Sequence, residues 1–339
     1  MDELVKGVLG GRERAAARAM RLIDDRAPGY RKLCVLLYAH TGRAYILGIT
    51  GSPGSGKSSL VDALVVHFRG ENRKVGVVAI DPSSPFSGGA ILGDRIRMQR
   101  HFLDEGVFIR SVATRGALGG LSHSVMDVTR VLDAYGSDVI IVETVGVGQD
   151  ELDIAGLAHT TVVVTSPGQG DDIQAVKAGI LEIADVFVVN KADRPGVESA
   201  VANLEHMMGL GREARGVLLH GHAADVHHPD ARAASAEPAP LWTPPVIQTV
   251  ATKNEGIKEL AAAFTRHRKF LSDTETGRAR QALRLERECL SIFREAVLMH
   301  AEKKLGHTLG DALLRVRSNQ EDPYTAAEGL VQMATGDKL

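Results

Sequence analysis

The strongest constraint on this chain is eight residues long: Gly51-Ser52-Pro53-Gly54-Ser55-Gly56-Lys57-Ser58. Two glycines with four residues between them, Gly51 and Gly56, followed by lysine and serine, make the phosphate-loop pattern. Glycine lets successive backbone N–H groups converge on phosphate oxygens with no Cβ in the way. The flanking residues supply the required context. An apolar run, Ile46-Leu47-Gly48-Ile49-Thr50, leads into the loop, and Ser59-Leu60-Val61-Asp62-Ala63-Leu64 reads as the helix after it. A helix that starts beside Lys57 adds the positive end of its dipole to an anion site. Lys57 is then placed for the β- and γ-phosphates, and the Ser58 hydroxyl for magnesium.

Such a loop stands on a parallel sheet, and the remaining pattern is consistent with one. Short β-rich runs recur at 44–50, 75–80, 107–112, 139–142, 161–165, 186–189 and 246–250, mostly separated by helix-like stretches. Continuous apolar strands alternating with helices predict an α/β fold, a mainly parallel central sheet flanked by helices. Ahead of it, residues 4–41 read as two helices split near Pro28-Gly29. From 219 to 245 the chain is rich in His, Ala and Pro and reads as an irregular excursion. Beyond it a long helix is expected over 278–304, with Leu283, Leu285, Leu290, Ile292, Phe293, Val297 and Leu298 on it. The expected division is an N-terminal helical segment (1–42), a nucleotide-hydrolase domain (43–272) and a C-terminal helical arm (273–339). An arm of this length must bury its apolar stripe somewhere, and a second copy of the chain is a natural place.

Base choice is legible at the end of one strand, where Val186-Phe187-Val188-Val189 runs into Asn190-Lys191-Ala192-Asp193. A carboxylate at Asp193 accepts both the N1–H and the exocyclic N–H of guanine. Adenine offers an acceptor at N1 and would leave that carboxylate unpaired. Lys191 can lay its stem along the ring, and Asn190 can tie this loop to the phosphate loop. Ala251-Thr252-Lys253, after another strand, can close over the base through backbone N–H groups. The cofactors expected are therefore GTP or GDP with Mg2+. Glu143 ends the run 139–142 where a magnesium-organising carboxylate belongs, and Gly146 can turn an N–H toward the γ-phosphate. Asp81 and Asp94 are read as positioning magnesium or the attacking water, and Gln149 is a further candidate for the water.

The stretches GITGSPGSGKSSLVDAL (48–64), VAIDPSSPFSGGAILGDRIRM (78–98), IVETVGVGQDE (141–151), PGQGDDIQAVKAGILEIAD (167–185) and VVNKAD (188–193) together bring a family into view. The chain resembles the MeaB, ArgK and MMAA proteins, P-loop GTPases that chaperone adenosylcobalamin-dependent methylmalonyl-CoA mutase. The resemblance runs from the N-terminal helices to residues 323–327. It implies that Asp81, Asp94 and Glu143, with Ser58, form the magnesium and hydrolysis cluster. It also implies that the loop from Ser166 to Lys177 relays nucleotide state to the mutase, with Gln174 and Lys177 as contacts. The C-terminal helices would be a homodimerisation arm. The implied role is to gate adenosylcobalamin loading and to protect or reactivate an acyl-CoA mutase, with a cobalamin adenosyltransferase as a further partner. Which acyl-CoA mutase is the client stays open.

Two alternatives come from the same residues. His220, His222, His227 and His228 crowd nine positions, and a metallochaperone branch of these GTPases uses His-rich segments for nickel. The cluster is no N-terminal tail and has no CxxC beside it, so a solvated loop is the reading adopted. The second alternative is a small-metabolite kinase. Asp225-Val226-His227 continues as His228-Pro229-Asp230 and does not meet Asp-x-His-x-x-Gly, so the chain is not expected to hold the corrin. A net charge of -2 gives no general pull toward nucleic acid or an acidic membrane. Cys34 and Cys289 make no redox or metal spacing, and Met1-Asp2-Glu3 lacks the basic and apolar regions of a secretory signal. A cytoplasmic location is expected.

Overall fold

A computed structural model describes residues 1–81, 98–113, 123–144, 150–168, 178–221 and 241–336. Its sheet is built from β1 (Tyr45–Gly51), β2 (Val75–Asp81), β3 (Val107–Ala113), β4 (Val139–Thr144), β5 (Thr160–Thr165), β6 (Val186–Asn190) and β7 (Val246–Thr249). Each of the seven expected runs becomes a strand. The order is β3-β2-β4-β1-β5-β6-β7, and every neighbouring pair is parallel. Chain direction across the sheet reverses at β1, which lies between β4 and β5. Ligands in such sheets bind at the carboxyl ends of the strands beside that reversal.

The first compact unit, Met1–Gln281, holds the sheet. Its helices are α1 (Asp2–Leu9), α2 (Glu13–Asp24), α3 (Tyr30–Tyr38), α4 (Lys57–Gly70), α5 (His123–Tyr135), α6 (Asp150–Leu157), α7 (Ala178–Ile183), α8 (Val197–Gly221) and α9 (Ile257–Asp273). Alternate residues of a strand point to opposite faces, and β4 divides accordingly. Val139 and Ile141 join α4 and α9 in one core, while Ile140 and Val142 join α1–α3 and α5 in the other.

The N-terminal segment departs from expectation, with three helices in place of two. Gly11, at φ +69°, stops α1, and Arg12 restarts from an extended conformation. Gly7 lies so close to α2 that a Cβ there would stand 2.7 Å from the Ala15 Cβ. Glycine thus lets α1 fold back on α2. Met20, Ile23, Leu33 and Leu37 are fully buried under these helices. At roughly 1.5–3 kcal/mol for each such side chain, the segment is part of the core. A second difference is at α8, which stays helical to Gly221, three residues into the stretch read as irregular.

A buried polar network closes the amino-terminal end of the sheet, opposite the nucleotide side. The Asp185 carboxylate accepts the Thr161 N–H at 2.8 Å and the Arg280 Nη1–H at 2.6 Å. His267 shares a 2.7 Å hydrogen bond between Nδ1 and Thr160 Oγ1, and its Nε2 lies 3.4 Å from Asp185 Oδ1. Trp242 Nε1–H donates to the Asp185 carbonyl at 2.7 Å. Burial holds the His267 imidazole neutral, lowering its pKa from 6.5 to about 4 against the pull of Asp185. The folded state therefore binds fewer protons than the unfolded chain between those values. The His267 contribution to stability is flat above pH 6.5, falls as pH drops toward 4, and amounts to at most about 3 kcal/mol at about 1.4 kcal/mol per unit. Urea unfolding at stepped pH should trace that slope, and His267→Gln should flatten it. A slope unchanged in the variant would assign the acid sensitivity to other groups.

The second unit, Ala282–Leu339, contains the body of α10 (Glu275–Leu305), α11 (His307–Arg317) and α12 (Pro323–Thr335). Asp322 caps α12 by accepting the N–H groups of Tyr324 and Thr325 at 3.0 Å, with Pro323 in the first turn. Within this unit Ala312 and Ala326 are the buried apolar side chains among the described residues. Leu283, Leu285, Leu290, Ile292, Val297 and Leu298 are exposed, and Phe293 is 62% exposed. Among the described residues no helix is long and apolar enough to cross a membrane.

Candidate nucleotide site

The phosphate loop leaves β1 where the sheet's direction reverses. Gly51 takes φ +130°, and a Cβ on it would sit 2.0 Å from the Val164 carbonyl oxygen of β5. The loop packs against β5 only because that position is glycine. Gly56, at φ +90°, turns the chain into α4, and a Cβ there would meet Asn190 Nδ2 at 2.4 Å. Lys57 begins α4 and is nearly buried; its Nζ donates to the Gly51 carbonyl at 2.8 Å and the Ser52 carbonyl at 3.0 Å. The ammonium is thus held over the mouth of the loop. Ser55 is fully buried, and its hydroxyl has no hydrogen-bond partner among the described residues. An orphaned buried hydroxyl inside an anion-binding loop fits a site completed by a ligand.

On one side lies the carboxylate strand. Ile49 of β1 pairs with Glu143 of β4, which brings Glu143 beside the first turn of α4. The Ser58 hydroxyl donates to Glu143 Oε1 at 2.7 Å, and the Thr144 hydroxyl donates to Thr50 Oγ1 at 2.9 Å. A hydroxyl and a carboxylate in contact at a phosphate loop are hard oxygen donors, the type magnesium selects. Asp81 ends β2, whose Ile80 pairs with Thr144 of β4. Its strand end is therefore next to that of Glu143.

On the other side lies the base loop, organised by one buried amide. Asn190 ends β6; its Nδ2–H donates to the Ser55 carbonyl at 2.9 Å, and its Oδ1 accepts from Thr249 Oγ1 at 3.1 Å and Ala251 N at 3.2 Å. One side chain stitches the phosphate loop to the segment after β7. Lys191, in a left-handed conformation at φ +59°, donates from Nζ to the Gly54 carbonyl at 2.5 Å. Ala192 N–H donates to the Thr249 carbonyl at 3.0 Å, so Asp193 is presented from a tied turn. Its carboxylate meets Lys253 Nζ at 3.0 Å. That hydrogen bond holds the Asp193 carboxyl below its usual pKa and raises the Lys253 ammonium. Ala251, Thr252 and Lys253 form a single 3-10 turn. Gly256 permits the return, since its Cβ would lie 2.1 Å from the Gln248 carbonyl oxygen.

The phosphate loop from Gly51 to Ser59, Glu143, Asn190, Lys191, Asp193 and the Ala251–Lys253 turn thus share the carboxyl edge of the sheet. Ser166 follows β5 and is buried. Asp94, Gly146, Gln149, Gln174, Lys177, His222, His227 and His228 lie outside the described residues, and His220 lies within α8. Thr249, Thr50 and Thr144 were missed by sequence reading. Thr249 was the most discoverable, since it directly precedes the turn assigned to the base.

Comparison with known proteins finds relatives along nearly the whole chain. Residues 16–305 match the family model described as "Methylmalonyl Co-A mutase-associated GTPase MeaB". A Pyrococcus abyssi protein, a GTPase by name, is 44% identical over 340 residues, covering 100% of this chain and 98% of its own length. GTPase ArgK of Escherichia coli is 33% identical, covering 97% of this chain and 95% of its own length. Among solved structures, an LAO/AO transport system kinase aligns with TM-score 0.63 and 25% identity over 98% of this chain and 96% of its own.

Proposed function

The chain belongs to the MeaB family of methylmalonyl-CoA mutase-associated GTPases, GTP-hydrolysing proteins, and from that premise we propose that it couples GTP hydrolysis to the servicing of an adenosylcobalamin-dependent acyl-CoA mutase. In this reading the nucleotide passes the carboxyl edge of the sheet with its phosphates over the Gly51–Ser58 loop and its base against Asp193. Ser58 and Glu143 would hold magnesium, with Asp81 and Asp94 as further ligands or water-positioning acids. When bound, the ion neutralises charge on the β- and γ-phosphate oxygens. Lys57 exchanges its loop carbonyls for those oxygens, and its positive charge follows the charge developing during transfer to water. Burial keeps competing water away from the ammonium. The observation that supports the reading is the Ser58–Glu143 hydrogen bond beside the Asn190 stitch, because together they gather the residues proposed for metal, phosphate and base.

The finer assignments follow the same premise. The loop from Ser166 to Lys177, including Gln174 and Lys177, relays nucleotide state to the mutase, gates adenosylcobalamin loading and protects the enzyme from inactivation. The division is a 1–42 helical segment, a 43–272 GTPase domain and a 273–339 arm that pairs two copies through its exposed apolar side chains. A cytoplasmic setting and a cobalamin adenosyltransferase as second partner complete the picture. Light scattering that reports a monomer at micromolar concentration would exclude the pairing.

The deciding experiment is phosphate release from GTP with and without methylmalonyl-CoA mutase. Turnover should rise at least about tenfold with the mutase, as partner-completed P-loop sites do. An unchanged rate would count against a switch coupled to that mutase. A phosphorylated metabolite in place of free phosphate would favour the kinase alternative, and nickel-dependent stimulation the metal-delivery one.

A further inference from the structure

We propose that the Lys253 side chain sets how strictly the base site demands a purine's exocyclic 2-amino group, by sharing the Asp193 carboxylate with the base. This rests on the reading of Asp193 as the guanine reader and assigns a further specificity-determining residue to that site. The role differs from that of the Ala251–Lys253 backbone, which closes over the ring.

Three observations support it. Lys253 Nζ contacts Asp193 Oδ2 at 3.0 Å across sixty residues of sequence. Both backbones are tied down: Ala251 N–H to Asn190, Ala192 N–H to Thr249, and Val250 bridged to Glu255 around a left-handed Asn254. The turns therefore bring the two positions together, and the side chains that meet there are 54% and 42% exposed. The neighbouring Lys191 has its Nζ on the Gly54 carbonyl, which leaves Lys253 as the cation on this carboxylate among the described ion pairs.

A carboxylate accepts about four hydrogen bonds. Guanine brings two donors, N1–H and the 2-amino group, so an ammonium on the same group stays within that capacity. Hypoxanthine keeps N1–H and lacks the amine. In a site without the lysine, the carboxylate oxygen that loses the amine has only water as a partner beside an apolar ring edge, a weaker replacement than an ammonium held on it. Here Lys253 still donates to it. The chain therefore tolerates inosine nucleotides better than the same site with the lysine removed.

The test is calorimetric binding of GDP, IDP and ADP to the full chain and to Lys253→Met and Lys253→Arg variants. The ratio of Kd for IDP to Kd for GDP should rise about threefold in Lys253→Met and stay near the parent value in Lys253→Arg. A ratio unchanged in Lys253→Met, with GDP still preferred over ADP, overturns the role of Lys253 and leaves the Asp193 reading standing. Equal tightening of both nucleotides overturns it as well, since the lysine would then merely occupy the empty site. Binding of ADP as tight as GDP by the parent chain overturns the Asp193 reading and this proposal with it.

Discussion

With Lys57 replaced by alanine, GTP turnover is expected to fall about a thousandfold while the chain stays folded. The magnitude is that of deleting one preorganised donor aimed at developing charge in a site shielded from water. Lys57 meets those conditions. It is nearly buried, and its Nζ is already gathered by the carbonyls of Gly51 and Ser52. No long rearrangement is needed to bring it to the phosphates. The stability cost should be smaller, because the two carbonyls belong to a loop that water reaches once the side chain is gone. A loss of roughly 1–2 kcal/mol corresponds to two under-satisfied acceptors. Single-turnover phosphate release and a thermal melt on the same preparation separate the two effects. Turnover within tenfold of the parent would remove Lys57 from the reaction.

Asp193→Asn is expected to lower the preference for GTP over ATP about a hundredfold and to create affinity for xanthosine nucleotides. The argument is one of donors and acceptors. The carboxylate accepts twice from guanine, whereas an amide accepts once and donates once. Guanine's 2-amino group then faces an N–H, donor against donor. Xanthine presents N1–H beside a 2-oxo group, which an asparagine complements. The swap leaves the frame intact, because Asn190 and Thr249 position the turn and Asp193 supports no other described element than Lys253. Competition between GTP, ATP and XTP for one fluorescent nucleotide reads out all three. An unaltered order of affinities would mean that another group reads the base.

Much of this site was visible in the sequence because its demands are local. The phosphate loop needs glycine at Gly51 and Gly56 for backbone reasons, at φ +130° and +90°. Asp193 and Glu143 were legible because acids at the ends of apolar strands have few structural uses. The sheet was legible because parallel strands covered on both faces carry near-continuous apolar runs, as at the centres of the fully buried β4 and β5. The N-terminal helix count was misjudged because Gly10-Gly11 reads equally as a tolerated helix pair or as a break. Only the packing of Gly7 against Ala15 decides for the break.

The chain's own letters determined the fold class, the nucleotide loop and the candidate base reader, since each depends on a backbone geometry or donor pattern within a few residues. Tertiary structure alone decided who meets whom. Asn190 reaches Ser55 across 135 positions, Ser58 reaches Glu143 across 85, and His267 reaches Thr160 across 107. Such partners are chosen by strand order and register, which crossovers of dozens of residues set. A polar side chain in the sequence announces that it needs a partner, and the folded sheet supplies which one.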